Sequence, residues 1–121
     1  MSGSSGSFDE LQAMIRKFVD ERDWDQFHNP KDLSISLTLE SSEVLEHFQW
    51  KNDAEMAEHA ITHKDEVGEE LADVLYWILL LANKLKIDLS EAFRAKMLKN
   101  EAKYPIEKAK GSHKKYTELT E

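Results

Sequence analysis

The sequence predicts an all-α fold built on a core of four helices, and three observations carry that prediction. Glycine and proline are scarce, four and two in 121 residues, so few positions interrupt a helix. Strand-like alternation of β-branched and polar residues is nearly absent. Apolar residues recur instead at spacings of three and four, the period of one helix face.

Residues 1–7, MSGSSGS, are a Gly/Ser run of the kind an expression leader leaves behind, and the fold is read as one domain over 8–121. The first helix spans Phe8 to Arg22 and places Leu11, Ile15, Phe18 and Val19 on one face. It stops in DWDQFHNPKD, because the residue before a proline is pushed out of the helical region and Asn29–Pro30 favours a turn. The second helix runs from about Asp32, its expected N-cap, to Trp50. Leu33, Leu37, Glu40, Val44 and Phe48 share its apolar stripe, which leaves Glu40 on the wrong face for a solvated acid.

KNDAEMAEHAITHKD is a polar connector with a short helix of its own. The third long helix is expected from about Thr62 to Lys86, with Val67, Leu71, Val74, Ile78, Leu81 and Leu85 as its core stripe. Glu66, Glu70, Asp73, Trp77 and Leu80 form the neighbouring stripe. From Ile78 to Leu85 this helix is apolar nearly all round, which predicts burial on several sides. So small a chain runs short of its own surface for that, so a partner subunit is expected to cover one side. The fourth helix is capped by Asp88 or Ser90 and ends near Tyr104, before Pro105. The tail KGSHKKYTELTE has no periodicity and reads as irregular.

Composition excludes several classes. There is no cysteine, which removes disulfides, zinc–thiolate sites and thiol nucleophiles. A net charge of −8 argues against a nucleic-acid binder, which meets phosphates with a basic face. The apolar run Leu71–Leu85 is too short to span a bilayer and carries Asp73. The expectation is a protein of the cytoplasm with no membrane partner.

Two acidic pairs stand out, ESSE (Glu40, Glu43) and ELAD (Glu70, Asp73). Residues at i and i+3 on a helix lie side by side, so each pair presents two carboxylates to one point. If the two helices pack antiparallel, four carboxylates converge, a hard-oxygen set suited to Mg²⁺, with Mn²⁺ as a substitute. A chain this acidic has about five such pairs by chance. The residues alone therefore leave two readings open, a cation site or solvated and salt-bridged acids.

Trp24, Trp50 and Trp77 lie at helix ends or on the carboxylate stripe, where flat rings serve either to stack a nucleobase or to pack a core or interface. Lys96 and Asn100 share a face of the fourth helix, one turn apart. They read as contacts for phosphate and a polar ligand group, or as an ordinary surface lysine and helix-end asparagine. The five histidines include no Glu-x-x-His pair, so the ferritin-like di-iron pattern is missing. No Gly-rich phosphate loop or Ser/His/Asp arrangement is present.

Taken in order, ERDWDQFHNPKDL, EVLEHFQWK, EELADVLYW, KMLKNEAKYP and KGSHKKYTEL resemble the MazG-like all-α nucleoside triphosphate pyrophosphatases, whose ExxE…ExxD metal signature ESSE…EELAD matches. The likeness covers nearly all of the chain after the leader. It implies Mg²⁺-dependent hydrolysis of a nucleoside triphosphate, dCTP or a modified dCTP in the branch it most resembles, to the monophosphate and pyrophosphate. It implies Glu40, Glu43, Glu70 and Asp73 as metal-binding catalytic residues. By the same likeness Trp24 and Trp50 belong to the base pocket, and Lys96 and Asn100 contact substrate. A house-cleaning enzyme that works as a homo-oligomer, a dimer or a tetramer, is expected, and because the third long helix reads as buried on more sides than one chain covers, its sites are expected at or near subunit interfaces. Three positions depart from that branch: Ile15 replaces a first-helix histidine, Trp77 replaces a tyrosine, and Leu39 stands where a glycine precedes the first acidic pair. The rival readings are a non-catalytic helical interaction module, and a relative of the dUTPase-like or phosphoribosyl-ATP pyrophosphohydrolase enzymes.

Overall fold

The structure is a computed structural model that describes residues 7–113 and 117. Among these residues there are six α-helices and no strand: α1 (Phe8–Glu21), α2 (Pro30–Glu46), α3 (Asp53–Thr62), α4 (Lys64–Lys84), α5 (Leu89–Lys103) and α6 (Ile106–Ala109), with a 3-10 turn at Asp25–Phe27. The all-α expectation is met. The chain divides into two compact units, residues 1–87 and 88–121.

In the first unit α4 is the hub, because α1, α2 and α3 all pack against it and α2 does so most extensively. The start of α1 is satisfied by Ser7, whose Oγ accepts the Glu10 N–H at 3.1 Å, so the last residue of the Gly/Ser run acts as a cap. The helix ends where Asp23 takes a positive φ of 54°. For α2 the cap is Asn29 rather than the expected Asp32: its side chain accepts the Asp32 N–H at 2.9 Å, and Pro30 occupies the first helical position. Proline fits there because its missing N–H would have no partner in any case. Asn29–Pro30 is thus the start of a helix, not only the end of a turn. At the other end α2 stops at Glu46, short of Trp50, as the chain tightens to a three-residue bond from Phe48 N–H to Leu45 O (2.9 Å).

The polar connector holds more order than its composition suggests. Asn52 and Glu55 form a reciprocal capping box, each side chain accepting the other's backbone N–H at 2.9 Å. It launches α3, and a single residue, His63, separates α3 from α4.

The core consists of Ile15 and Val19 from α1, Leu33 from α2, and Leu79, Leu80 and Ala82 from α4. Burial on α4 is therefore offset from the expected stripe. Leu71 and Leu85 are exposed at 54% and 48%, while Leu80, placed with the carboxylates, is buried. A helix apolar on most sides carries no periodic signal to say which side is covered, so only its neighbours choose. One polar group enters this core: the Gln12 amide donates to Asn83 Oδ1 (2.9 Å) and to the Ile87 carbonyl (3.1 Å), and Asn83 Nδ2 donates back to the Gln12 carbonyl (3.0 Å). The bonds of that set join α1 to the last turn of α4 and to Ile87 just beyond it, which locks α1 against the end of α4. No described helix is long and apolar enough to cross a membrane.

The second unit consists of α5, capped by Asp88 through the Glu91 N–H at 3.1 Å, and the one-turn α6 that follows Pro105. The sequence pattern did not anticipate α6, which lies between the expected end of the fourth helix near Tyr104 and the tail that begins at Lys110. Of the basic tail, Lys110 is described and Lys114 and Lys115 lie outside the described residues.

Candidate metal centre

α2 and α4 are held face to face by the Leu33, Leu79 and Leu80 core, and this sets their polar faces against each other. Glu40 feels the charges of Glu70 and Asp73, and Glu70 feels those of Glu43, Glu46 and His47. Numbers rising on α2 thus meet numbers falling on α4, the antiparallel arrangement that makes two i,i+3 pairs face one another.

Glu40, Glu43 and Glu70 each present a carboxylate oxygen, all within 4.8 Å of one another. Glu40 and Glu70 are half-buried and Glu43 is exposed. The electrostatics follow from that closeness. The Glu40 carboxyl is pushed up from 4.5 to about 7, chiefly by a hydrogen bond shared with Glu43 and then by burial. The charges of Glu43, Asp73 and Glu70 add to it. Glu70 is raised as well, by burial first and then by the Glu43 charge. Carboxylates forced together relieve repulsion by holding a proton or by sharing a cation. Three hard oxygens on two rigid helices suit Mg²⁺ or Mn²⁺, both of which favour carboxylates over nitrogen or sulfur. The residues present fit the metal that the sequence implied.

Asp73 is exposed and stands outside the tight group of three, although its charge reaches Glu40. Of the four expected ligands, three converge and the fourth flanks them. The remaining candidates are placed as follows. Trp24 packs edge-on against Phe18 with ring centres 5.6 Å apart and stays 40% exposed. Trp77 is half-buried, edge-on to Tyr76 at 5.0 Å. Trp50 projects from the turn after α2 and is 87% exposed, a large apolar surface left to solvent in the single chain. Ile15 belongs to the core. Lys96 and Asn100 lie on α5 in the second unit, Lys96 exposed and the Asn100 amide 3.7 Å from Met97 Sδ.

Sequence reasoning passed over the histidines. An open pocket of about 300 Å³ adjoins the acidic group and is lined by Glu43, Glu46, His47, Lys51, His59 and Glu70. His47 Nδ1 and His59 Nε2 are 2.8 Å apart, and the His59 and His63 rings stack at 4.1 Å, 9° from parallel. The i,i+4 spacing of His59 and His63 was a local signal for the stacked pair. Nothing local announced the approach of His47, the residue that ends α2.

Comparison with known proteins shows the family. A model of the MazG-like family matches residues 35–119. The dCTP pyrophosphatase 1 of Rattus norvegicus is 39% identical over 115 residues, covering 93% of this chain and 68% of the relative. The protein of that name from Homo sapiens is 37% identical over 115 residues with the same coverage. The crystal structure of a pyrophosphatase from Archaeoglobus fulgidus DSM 4304 superposes with a TM-score of 0.76 at 40% identity, covering 87% of this chain and 98% of that one. The chain belongs to the MazG-like family.

Proposed function

We propose that this protein hydrolyses dCTP or a modified dCTP to the nucleoside monophosphate and pyrophosphate, with Mg²⁺ as cofactor and Mn²⁺ as a working substitute. Its class is nucleoside triphosphate pyrophosphohydrolase. The observation that carries the reading is the meeting of Glu40, Glu43 and Glu70 oxygens within 4.8 Å in a chain of this family. The cytosine nucleotide is suggested by the names of the mammalian relatives.

Glu40, Glu43 and Glu70, with Asp73 beside them, would hold the metal. When bound, Mg²⁺ neutralises phosphate oxygens and makes a water more acidic. The work left to the chain is to orient. A triphosphate carries about four negative charges and bare carboxylates repel it, so these acids act on substrate only with their own charge offset. Trp24, Trp50 and Trp77 supply rings for the base, and stacking tolerates several bases, so selectivity is moderate. Lys96 and Asn100 contact the substrate's polar groups. Water's oxygen bonds to the α or the β phosphorus as the P–O bond from that phosphorus to the bridging oxygen breaks, and the other fragment leaves with the bridging oxygen, so that water's two protons are shared out between products and solvent.

The enzyme works as a homo-oligomer, a dimer or a tetramer, in the cytoplasm, where it clears unwanted nucleotides. Exposed Leu71, Leu85 and Trp50 support an oligomer, since apolar surface of this kind is what partner subunits cover. The residues 8–121 act together as one domain. A panel of nucleoside triphosphates, scored for pyrophosphate against orthophosphate release with and without Mg²⁺, tests the reading. Release of pyrophosphate from dCTP supports it. No release from any nucleotide overturns it in favour of a helical interaction module, and preference for dUTP or phosphoribosyl-ATP moves the protein to the other enzyme classes.

A further inference from the structure

We infer that Lys84 is a positioning residue for the base-binding ring of Trp24, an inference that rests on the proposed function. The turn that follows α1 carries Trp24 and Asp25, and most of its hydrogen bonds are local. The Trp24 N–H reaches back to the Val19 carbonyl (3.1 Å), the Phe27 N–H to the Trp24 carbonyl (2.9 Å) and the His28 N–H to the Asp25 carbonyl (3.1 Å). The Gln26 amide closes on Asp23, at its carbonyl (3.1 Å) and its carboxylate (2.9 Å). These bonds shape the turn and tie it to α1. None of them places it against α4, the helix that carries Glu70 and Asp73.

Lys84 supplies that link. Its Nζ donates to Asp25 Oδ1 at 3.2 Å and to the Asp25 carbonyl at 3.4 Å, from 59 positions away in the chain. Among the described residues the other ion pairs, Lys17–Glu21, Arg22–Glu21 and Lys31–Asp32, join close neighbours in sequence, so this is the pair that spans separate elements. Asn83, the preceding residue, holds α1 through Gln12. Two consecutive side chains at the end of α4 thus fix first α1 and then the turn beyond it.

Packing does not fix the turn here. An open recess of about 310 Å³ lies between Val19 and Asp20 of α1, Asp25 of the turn, and Leu80 and Lys84 of α4. A void gives its lining no contacts on one side, so the polar link across it sets the spacing. The Lys84 side chain is 28% exposed, which keeps its ammonium partly out of water and strengthens both bonds. Asp25 is 66% exposed, so the link is modest in energy and governs where the turn sits rather than whether the chain folds. Trp24 is the residue next to Asp25, and its ring meets only the edge of Phe18 on α1. A turn released from α4 therefore displaces the ring from the acidic group and leaves the carboxylates where they were. The kinetic signature is weaker substrate binding at unchanged turnover.

The test joins amide hydrogen exchange to steady-state kinetics of Lys84→Met, which keeps the apolar stem and removes the charge. Exchange of the Phe27 and His28 N–H groups should quicken about fivefold, with Leu79 and Leu80 in α4 unchanged. KM for dCTP should rise about fivefold with kcat retained. Lys84→Arg, which restores charge and donors, should recover both values, and Asp25→Asn, which keeps the main-chain acceptor, should raise KM less. Unchanged exchange in Lys84→Met overturns the inference, and so does quickened exchange with KM unmoved or with kcat lost instead. Should Lys84→Met fail to fold, Asp25→Asn decides, and an unmoved KM there refutes the link. The two readings fail separately. No pyrophosphate release by the native chain removes the proposed function, and dCTP affinity measured by calorimetry under Mg²⁺ then replaces KM. Equal affinity in the native chain and Lys84→Met, or none in either, overturns the positioning role.

Discussion

Binding of Mg²⁺ at the acidic group should expel protons in an amount that the structure sets in advance. With its carboxyl pushed up to about 7, the Glu40–Glu43 pair holds about 0.9 of a proton at pH 6, about 0.5 at pH 7 and about 0.1 at pH 8. In the unfolded chain, at the ordinary value of 4.5, the same site is nearly empty of protons throughout that range. A divalent cation among three carboxylates removes the repulsion that raised the group, so each ion bound releases about those fractions. Calorimetry of Mg²⁺ binding in buffers of different ionisation enthalpy measures the release directly, because the apparent heat varies with buffer in proportion to the protons exchanged. The sign for stability follows from the same occupancies. The metal-free folded state binds more protons than the unfolded state between pH 4.5 and about 7, so stability contributed by this pair is full below that window. It is lost as pH rises through about 7. Saturating Mg²⁺ should flatten that fall and raise the melting temperature. Buffer-independent heats at pH 6, with Mg²⁺ bound, would refute the clustered-carboxylate account, since proton release is greatest there.

Three further outcomes test other parts of the structure. Glu40→Gln and Asp73→Asn should abolish pyrophosphate release while the helical circular dichroism remains, and turnover retained in Glu40→Gln would remove that residue from the site. Leu33→Ala empties the most buried position of the core, 2% exposed, and should cost about 3–5 kcal/mol in chemical denaturation; a loss below about 1 kcal/mol would mean that Leu33 is not the packed contact described. Asn29→Ala removes the cap that accepts the Asp32 N–H at 2.9 Å and should lower stability by about 1 kcal/mol, whereas Asp32→Ala, the cap expected from sequence, should cost less.

The helical class, the approximate limits of α1, α4 and α5, and the two acidic pairs were all legible in the linear pattern. Each rests on interactions within a few residues: the spacing of apolar side chains, the Asp88 cap, the adjacency of i and i+3. Where a limit was missed, the competing choice was also local and close in energy, as with Asn29 against Asp32 for the start of α2. The capping box of Asn52 and Glu55 was readable too, and it explains why the polar connector is a regular helix.

Contacts between distant segments had no such signature. Which side of α4 is covered depends on α1, α2 and α3 together, and a helix apolar nearly all round offers no preferred face, so Leu79, Leu80 and Ala82 are buried in place of Leu71 and Leu85. That Glu40 and Glu43 meet Glu70 while Asp73 stays outside is settled by the register between α2 and α4. His47, the residue that ends α2, meets His59 of α3 through the fold of the chain between them. Local spacing fixes what lies on one face of one helix, because the backbone's own period enforces it. Which faces meet is a matter of packing, and packing is decided by the shapes of side chains far apart along the chain.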